Sequence, residues 1–338
     1  LETSFLKSMQ ETAGVNFQLC NIKPEIGAKR TFTSFSLPLR ARYSYSRYLS
    51  FSARVNQGYQ AYDGSGLYGF SDIDISGRFL LNKEFTFIGG ITIPSGTKEL
   101  KNEDISAASA GRIPFINSSL TYGNSGFGFH GGASYGYQMD SKTALAIGLG
   151  YYYRGEYNPL KNVENFDPSD EFRLSAGIEY DANDFNGIGK LILSFYSEEK
   201  IDGNEISEPG MGITFSGTGF YNSWKLATII NKRGKTDLNY GGKFKPPSLI
   251  NVKFSYNDIW ELFTLPEVPL LPYLGFEHTG EGSKVESASL FLMGVYCERI
   301  AIKDFPLSPY AEFNVGSLSG KALIMGFEVG TSIAFQIY

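Results

Sequence analysis

Covalent chemistry needs a nucleophile, a base beside it and a group to orient the base, and this chain is poor in bases. It has two histidines among 338 residues, His130 and His278. His130 follows Phe129 and falls on the inward phase of its segment, which suits a polar lining residue better than a Ser/His/Asp site. Cys20 and Cys297 lie far apart without the paired spacing of a zinc or redox motif. The expectation is therefore no enzyme: no catalytic residues, no cofactor and no metal. The side chains that do show a spacing are charged ones at every second position. Arg40 and Arg42, Arg54, Asp72 and Asp74, Arg78, Arg173 and Glu179 with Asp181, Lys190, Lys253, Glu312 and Glu328 all follow it. Such groups select or pair electrostatically; they break no bonds.

Strands must hold these charges. From Phe172 to Asp181 the residues Phe172, Leu174, Ala176, Ile178 and Tyr180 alternate with Arg173, Ser175, Gly177, Glu179 and Asp181. Successive side chains of a strand point to opposite faces, so the segment separates oil from water. Ile250 to Tyr256, Leu49 to Asn56, Asp72 to Phe79 and Leu145 to Arg154 repeat the pattern.

Composition agrees with a surface that sees two solvents. The chain is rich in Gly (39), Tyr (22) and Phe (27), only 19 % of it is charged, and its formal net charge is -5. No stretch approaches the ~20 apolar residues of a membrane-spanning helix, and there is no basic footprint for nucleic acid. Leu1 opens the sequence without a Met, a basic segment or an apolar core, as expected of a mature protein whose signal peptide has been removed.

Strands are predicted near 14–22, 31–43, 48–59, 67–81, 84–95, 124–138, 142–155, 170–181, 187–198, 209–221, 223–233, 248–258, 268–278, 285–298, 306–317 and 321–338. Short turns such as Leu81-Asn82-Lys83 and Met139-Asp140-Ser141 alternate with longer polar connections such as 96–123, 156–169, 199–208 and 234–247. The Pro-rich stretches Lys245-Pro246-Pro247 and Leu265 to Pro272 read as loops or turns. Short turns on one rim and long loops on the other are the asymmetry of an outer-membrane barrel. The expected fold is all-β: a transmembrane antiparallel up-and-down β-barrel of the bacterial outer membrane, 1–338 as a single domain. If both termini are periplasmic the strand number is even. It is sixteen if residues 1–28 supply the first strand and fourteen if they form an N-terminal plug.

The last segment supports a barrel over a sandwich. Met325, Phe327, Val329, Thr331, Ile333, Phe335 and Ile337 alternate with Gly326, Glu328, Gly330, Ser332, Ala334, Gln336 and Tyr338, like the terminal strands by which bacterial barrels are recognised for insertion. A propeller should show a repeat near ~40–50 residues, and none is seen. With the apolar set facing lipid, Arg40, Arg42, Arg54, Asp72, Asp74, Arg78, Arg173, Glu179, Lys190, Lys253 and Glu328 line the lumen. Two readings of these charges stay open. One is a solvated, mutually paired wall that stiffens the barrel; the other is a basic ladder of Arg40, Arg42, Arg54 and Arg78 facing acidic residues across a constriction.

One hairpin is more specific. Gly69-Phe70-Ser71-Asp72-Ile73-Asp74-Ile75-Ser76-Gly77-Arg78-Phe79, a short turn, and Phe85-Thr86-Phe87-Ile88-Gly89-Gly90-Ile91-Thr92-Ile93-Pro94-Ser95-Gly96 resemble a hairpin of the outer-membrane transporters for hydrophobic compounds. These are the fatty-acid and aromatic-hydrocarbon channels and their relatives in phenol-degradation clusters, with a Gly-x-x-Asp strand start and an apolar strand ending in Pro-Thr/Ser-Gly. Arg112-Ile113-Pro114-Phe115 and the strand Phe127 to Tyr137 fall where the next family strand belongs, so the resemblance covers about a third of the chain. It implies a plug at residues 1–28 and sideways release of substrate, although 14–22 alternates like a strand. The expected function is passive uptake of small hydrophobic or aromatic solutes across an outer membrane. Alternatives are a general diffusion porin and a non-transporting scaffold barrel holding a partner protein. Expected partners are outer-membrane lipid and a small solute, with a homo-oligomer or a partner protein left open.

Overall fold

The computed structural model describes residues 8–24, 28–82, 84–97, 99–111, 116, 126–161, 163–182, 184–256, 260–262, 265–268, 270–283, 286–297, 300–302 and 305–337. Sixteen antiparallel wall positions follow chain order. The first eight are β1 (Ser8–Pro24), β2 (Arg30–Ser44), β3 (Leu49–Tyr62), β4 (Ser65–Phe70 and Ile73–Leu80), β5 (Phe85–Ile93), β6 (Gly128–Gln138), β7 (Thr143–Arg154) and β8 (Glu171–Asp181). The second eight are β9 (Phe185–Tyr196), β10 (Gly212–Tyr221), β11 (Trp224–Arg233), β12 (Leu249–Tyr256), β13 (Leu270–Thr279), β14 (Ala288–Cys297), β15 (Phe305–Leu318) and β16 (Ala322–Ile337).

Each strand pairs with its neighbours in sequence, and β16 closes on β1 with Met9 opposite Ile337 and Pro24 opposite Ala322. Closure leaves the barrel wall without a free edge among the described residues, the condition under which a sheet can sit in hydrocarbon that offers its backbone no partner. The count is sixteen. Ser8–Pro24 is hydrogen-bonded on both sides, to β2 and to β16, so fourteen strands around an N-terminal plug is not the arrangement; residues 1–7 and 25–27 lie outside the described residues. The strand starts earlier than the alternation at 14–22 suggested, because its first residues, Ser-Met-Gln-Glu-Thr-Ala, are mostly polar on both phases.

Opposed residues share a face, and following register around the barrel fixes the lining. Arg40 stands opposite Thr12 and Arg54, Arg54 opposite Asp74, His130 opposite Gly90 and Tyr152, and Glu312 opposite Gly294 and Glu328. The other phase is lipid-facing and exposed, with Phe51, Leu149, Leu174, Phe215 and Phe327 among many. Aromatic pairs ring both ends of this belt: Phe85 with Tyr135, Tyr180 with Phe185 and Trp224 with Tyr256 towards the turns, Phe129 with Tyr153 and Phe172 with Phe195 towards the loops. Such girdles sit at the two membrane interfaces of outer-membrane barrels.

Three departures from the expected pattern matter. Pro272, placed in a loop by composition, is the third residue of β13, near the turn rim where a missing ladder donor costs least. The long connection after β5 contains a helix, α1 (Ile105–Gly111), which lies against β3 and β4. The lumen is also not polar throughout. Cys20, Ile22, Phe32, Leu290, Leu292 and Ile324 take inward positions on the loop side, where they are buried with Ala110 and Ile116 of the connection. The long loops 155–170, 197–211 and 234–248 are tied together by a five-stranded sheet of their own, from Phe166–Asp167 through Glu199–Ile201, Asn204–Glu208 and Thr236–Leu238 to Lys243–Phe244.

Candidate functional site

The site is the lumen under the inward-folded connection, and that connection is launched by the hairpin singled out in the sequence. β4 breaks at Ser71 and Asp72. Asp72 Oδ1 accepts a hydrogen bond from the Gly96 N–H at 3.0 Å, Ser95 Oγ accepts one from the Ile73 N–H at 3.1 Å, and Ser71 Oγ accepts one from the Asn56 N–H at 2.9 Å. A Cβ on Gly96 would come within 2.7 Å of the Phe70 carbonyl oxygen, which is why a glycine is needed at this close approach. The Asp and the Pro-Ser-Gly of the hairpin thus form a clasp that turns the chain from wall to lumen.

Two glutamines hold the connection inside. Gln60, wholly buried, donates from Nε2 to the Ala107 carbonyl at 2.9 Å, and Gln18 donates to the Ile116 carbonyl. Ser65 donates to the Glu103 carbonyl beside them. A second apolar group, Leu67, Leu100, Ala107 and Ala108, seals α1 against the inner face of the β3–β4 hairpin.

Seven of the eleven sequence-predicted lining residues come together. Arg40, Arg42, Arg54, Asp74, Arg78 and Arg173 line one cavity of about 700 Å³ with His130 and Tyr152, and Asp72 lines the adjoining space with Arg40, Arg54 and Asp74. Their charges are not balanced. Arg54 Nε is 3.4 Å from Asp74 Oδ1, and Arg173 clamps Glu171 with Nε at 2.7 Å and Nη2 at 2.8 Å. Among the described residues Arg40, Arg42 and Arg78 have no carboxylate partner. The aromatic wall of the cavity comes from β6 and β7: the Arg173 guanidinium lies 4.0 Å over the Tyr152 ring, and His130 stacks on Tyr152 at 5.5 Å.

The remaining four lie elsewhere. Glu179 and Lys190 face the lumen towards the turn rim, opposite Ile188 and Ser216 respectively. Lys253 and Glu328 belong to a separate cavity with Glu277 and Glu312, so of the predicted acidic residues Asp74 shares the cavity of the four arginines, Asp72 lines the adjoining space, and Glu328 lines neither. Sequence reasoning did not single out Glu171 or its second partner Arg154, 2.7 Å from it; Arg154 falls on the polar phase of the Leu145 to Arg154 alternation, whereas Glu171 opens its strand next to a loop, ahead of the alternation that starts at Phe172. It also missed Glu277, which shares the inward phase of Tyr273 and Gly275 in β13.

Among the described residues neither histidine ring is bonded to a carboxylate. His130 stacks on Tyr152, and His278, on the lipid-facing phase, places Nδ1 2.9 Å from Ser289 Oγ with no carboxylate bonded to its ring.

Closed sixteen-strand architecture, twin aromatic girdles and a charged lumen under an inward loop are the geometry of membrane channels. This is an integral β-barrel of a bacterial outer membrane. Solved structures agree in fold along nearly the whole length. OccK5 (OpdH) of Pseudomonas aeruginosa is 9 % identical at a TM-score of 0.54, with 99 % of each chain covered. A BenF-like porin from Pseudomonas fluorescens is 11 % identical at 0.51, covering 99 % of this chain and 100 % of that one. An anion-selective porin from Comamonas acidovorans is 13 % identical at 0.51, covering 97 % and 100 %. No family model and no curated protein matches the chain. At such identities the likeness is one of fold.

Proposed function

We propose that the barrel is a passive channel for small solutes and that the arginine cavity selects those carrying an anionic group on an aromatic or hydrophobic body. The supporting observation is the set of three guanidinium groups without an ion-pair partner among the described residues, Arg40, Arg42 and Arg78, on one cavity with the Tyr152 and His130 rings. A guanidinium offers carboxylate a planar two-donor fork, and stacked rings offer an apolar body a flat wall. The inward connection argues against unrestricted diffusion, because α1 and Ile116 occupy space that an open pore leaves to water. The arginine ladder is taken here as the selecting element, and the paired groups Arg54–Asp74 and Arg173–Glu171 as its stiffening.

The test is conductance of purified protein in planar bilayers with benzoate, phenol and benzylammonium added in turn. Benzoate should cause transient blocks at concentrations at least tenfold below phenol, and R40A/R78A should abolish the difference. Large steps indifferent to all three would instead make this a general diffusion porin.

A further inference from the structure

Separate from the arginine cavity lies a second one of about 310 Å³ lined by β12 to β16 and by Gln18 of β1, with Ile116 of the inward connection in its wall. It brings together three carboxylates, Glu277, Glu312 and Glu328, and one cation, Lys253. Each carboxylate is held by donors on one oxygen only. Glu312 Oε2 accepts from Lys253 Nζ at 2.7 Å and from the Tyr273 hydroxyl at 2.5 Å. Glu328 Oε1 accepts from Asn16 Nδ2 at 2.9 Å and from the Tyr310 hydroxyl at 2.7 Å. Glu277 Oε2 accepts from Asn251 Nδ2 at 2.6 Å. The second oxygen of each has no donor among the described residues.

An independent observation points the same way. Asn314, only 7 % exposed and lining the same cavity, has an Oδ1 with no hydrogen-bond partner, and so does Asn16 beside Glu328. Buried polar atoms are nearly always satisfied, so unsatisfied ones call for an explanation. Both of these buried unpartnered atoms are acceptors, and the formal charge of the lining is three carboxylates against one ammonium. What the cavity lacks is donors with positive charge.

We propose that this cavity is a subsite for the ammonium or guanidinium group of an organic solute. Three carboxylates from β13, β15 and β16, each with one oxygen free of donors among the described residues, suit a group that brings several N–H donors at once. An organic cation fits better than an inorganic one. Among the described residues no three acidic, cysteine or histidine side chains are close enough to hold a metal ion, and Leu290, Leu292 and Tyr296 give the wall an apolar side for a hydrocarbon stem. The tyrosines fix the carboxylates in place, so little reorganisation is needed on binding. The inference rests on the channel reading only in that solutes must reach the lumen.

The experiment uses the full chain in detergent and in planar bilayers, with n-butylammonium as probe, butanoate as charge control and calcium as inorganic control. Calorimetric titration of the detergent-solubilised protein should show n-butylammonium binding that E328Q weakens at least tenfold, with butanoate and calcium unable to compete. In bilayers n-butylammonium should block the wild type and not E328Q. Heat-modifiable gel mobility confirms that the variant is folded; should it not fold, competition on the wild type alone decides. No calorimetric binding by the wild type, equal binding by E328Q, or displacement by calcium overturns the proposal. Binding without any conductance leaves the subsite standing and removes the channel.

Discussion

Gln60 and Ala107 are joined by a 2.9 Å hydrogen bond from a side-chain amide on β3 to a helix carbonyl inside the barrel, and both residues are wholly shielded from solvent. A lipid-spanning wall and a lumen-filling helix are thereby made one unit. Replacing Gln60 by Leu removes the donor and leaves the Ala107 carbonyl without this bond in a dry place, at a cost of about 1–3 kcal/mol. Because the helix is short and held mainly by alanines, the loss should appear as displacement of the connection rather than unfolding of the barrel. Single-channel conductance of Q60L should rise while heat-modifiable mobility stays that of a folded barrel; unchanged conductance would show that the helix is held by other contacts.

The clasp at the foot of that connection gives a second prediction. Gly96→Ala places a methyl within 2.7 Å of the Phe70 oxygen and 2.9 Å of Asp72 Oδ1. Backbone cannot yield cheaply there, so the variant should break the Asp72–Gly96 bond and free the start of the connection, with a conductance increase like that of Q60L. Asp72→Asn keeps an acceptor and should be much milder. If G96A and wild type conduct alike, the clasp does not position the connection.

How much of this was readable beforehand depends on what each segment faces. Where one side meets lipid and the other water, as from Phe172 to Asp181, alternation alone places the strand and both faces. Near the loop rim that rule fails for a physical reason: Leu290 and Leu292 face inward yet are apolar, because Ile116 and α1 cover them in place of water. The sequence carried a trace of this in the unbroken run Leu290-Phe291-Leu292-Met293, which reads as a strand buried on both faces. The helix was hidden because Ile-Ser-Ala-Ala-Ser-Ala-Gly offers no amphipathic period. Among the site residues, phase identified the arginines as inward-facing, but only register could show that Arg173 from β8 shares their cavity and that Glu312 and Glu328 do not.

Glu171 tests the stiffening role of paired charges. It is almost fully buried and takes both Arg154 and Arg173 at 2.7 Å. Glu171→Ala strands two guanidinium groups, which for fully buried ions costs about 3–5 kcal/mol. Both arginines are about a third exposed, at 37 % and 35 %, so water recovers part of that and a loss of roughly 1–3 kcal/mol is expected. Urea unfolding in lipid vesicles measures it. The freed Arg173 should also strengthen benzoate block, an effect that a purely structural role would not produce.

At the opposite rim, Asp140 governs the turn between β6 and β7. Its Oδ1 accepts from the Lys142 N–H at 2.7 Å and the Thr143 N–H at 2.8 Å. These backbone donors, the first above all, hold its carboxyl below the ordinary aspartate value of 3.8. A lowered folded pKa means stabilisation present above the unfolded value and lost as pH falls through the folded one. Asp140→Asn retains an acceptor and loses the charge. The melting-temperature advantage of wild type over D140N should therefore be constant from neutral pH down to about 5 and shrink below 3.8. An advantage that persists undiminished at acid pH would mean that the charge is not what the turn uses.

The lipid-facing phase makes the plainest test of the whole arrangement. Leu149 lies mid-strand in β7, 56 % exposed, opposite Ala133 and Leu174 on the outer face, while its neighbour Gly148 stands opposite the inward-facing Ser134 and Ser175. An arginine near the bilayer midplane of a barrel costs about 2–4 kcal/mol, and in a wet lumen far less. Leu149→Arg should lower unfolding stability in lipid vesicles by that amount. Ser175→Arg, one strand away and turned inward, should leave stability within about 1 kcal/mol and reduce conductance instead. Equal destabilisation by the two would contradict the two-solvent wall on which every other assignment of lumen and lipid face depends.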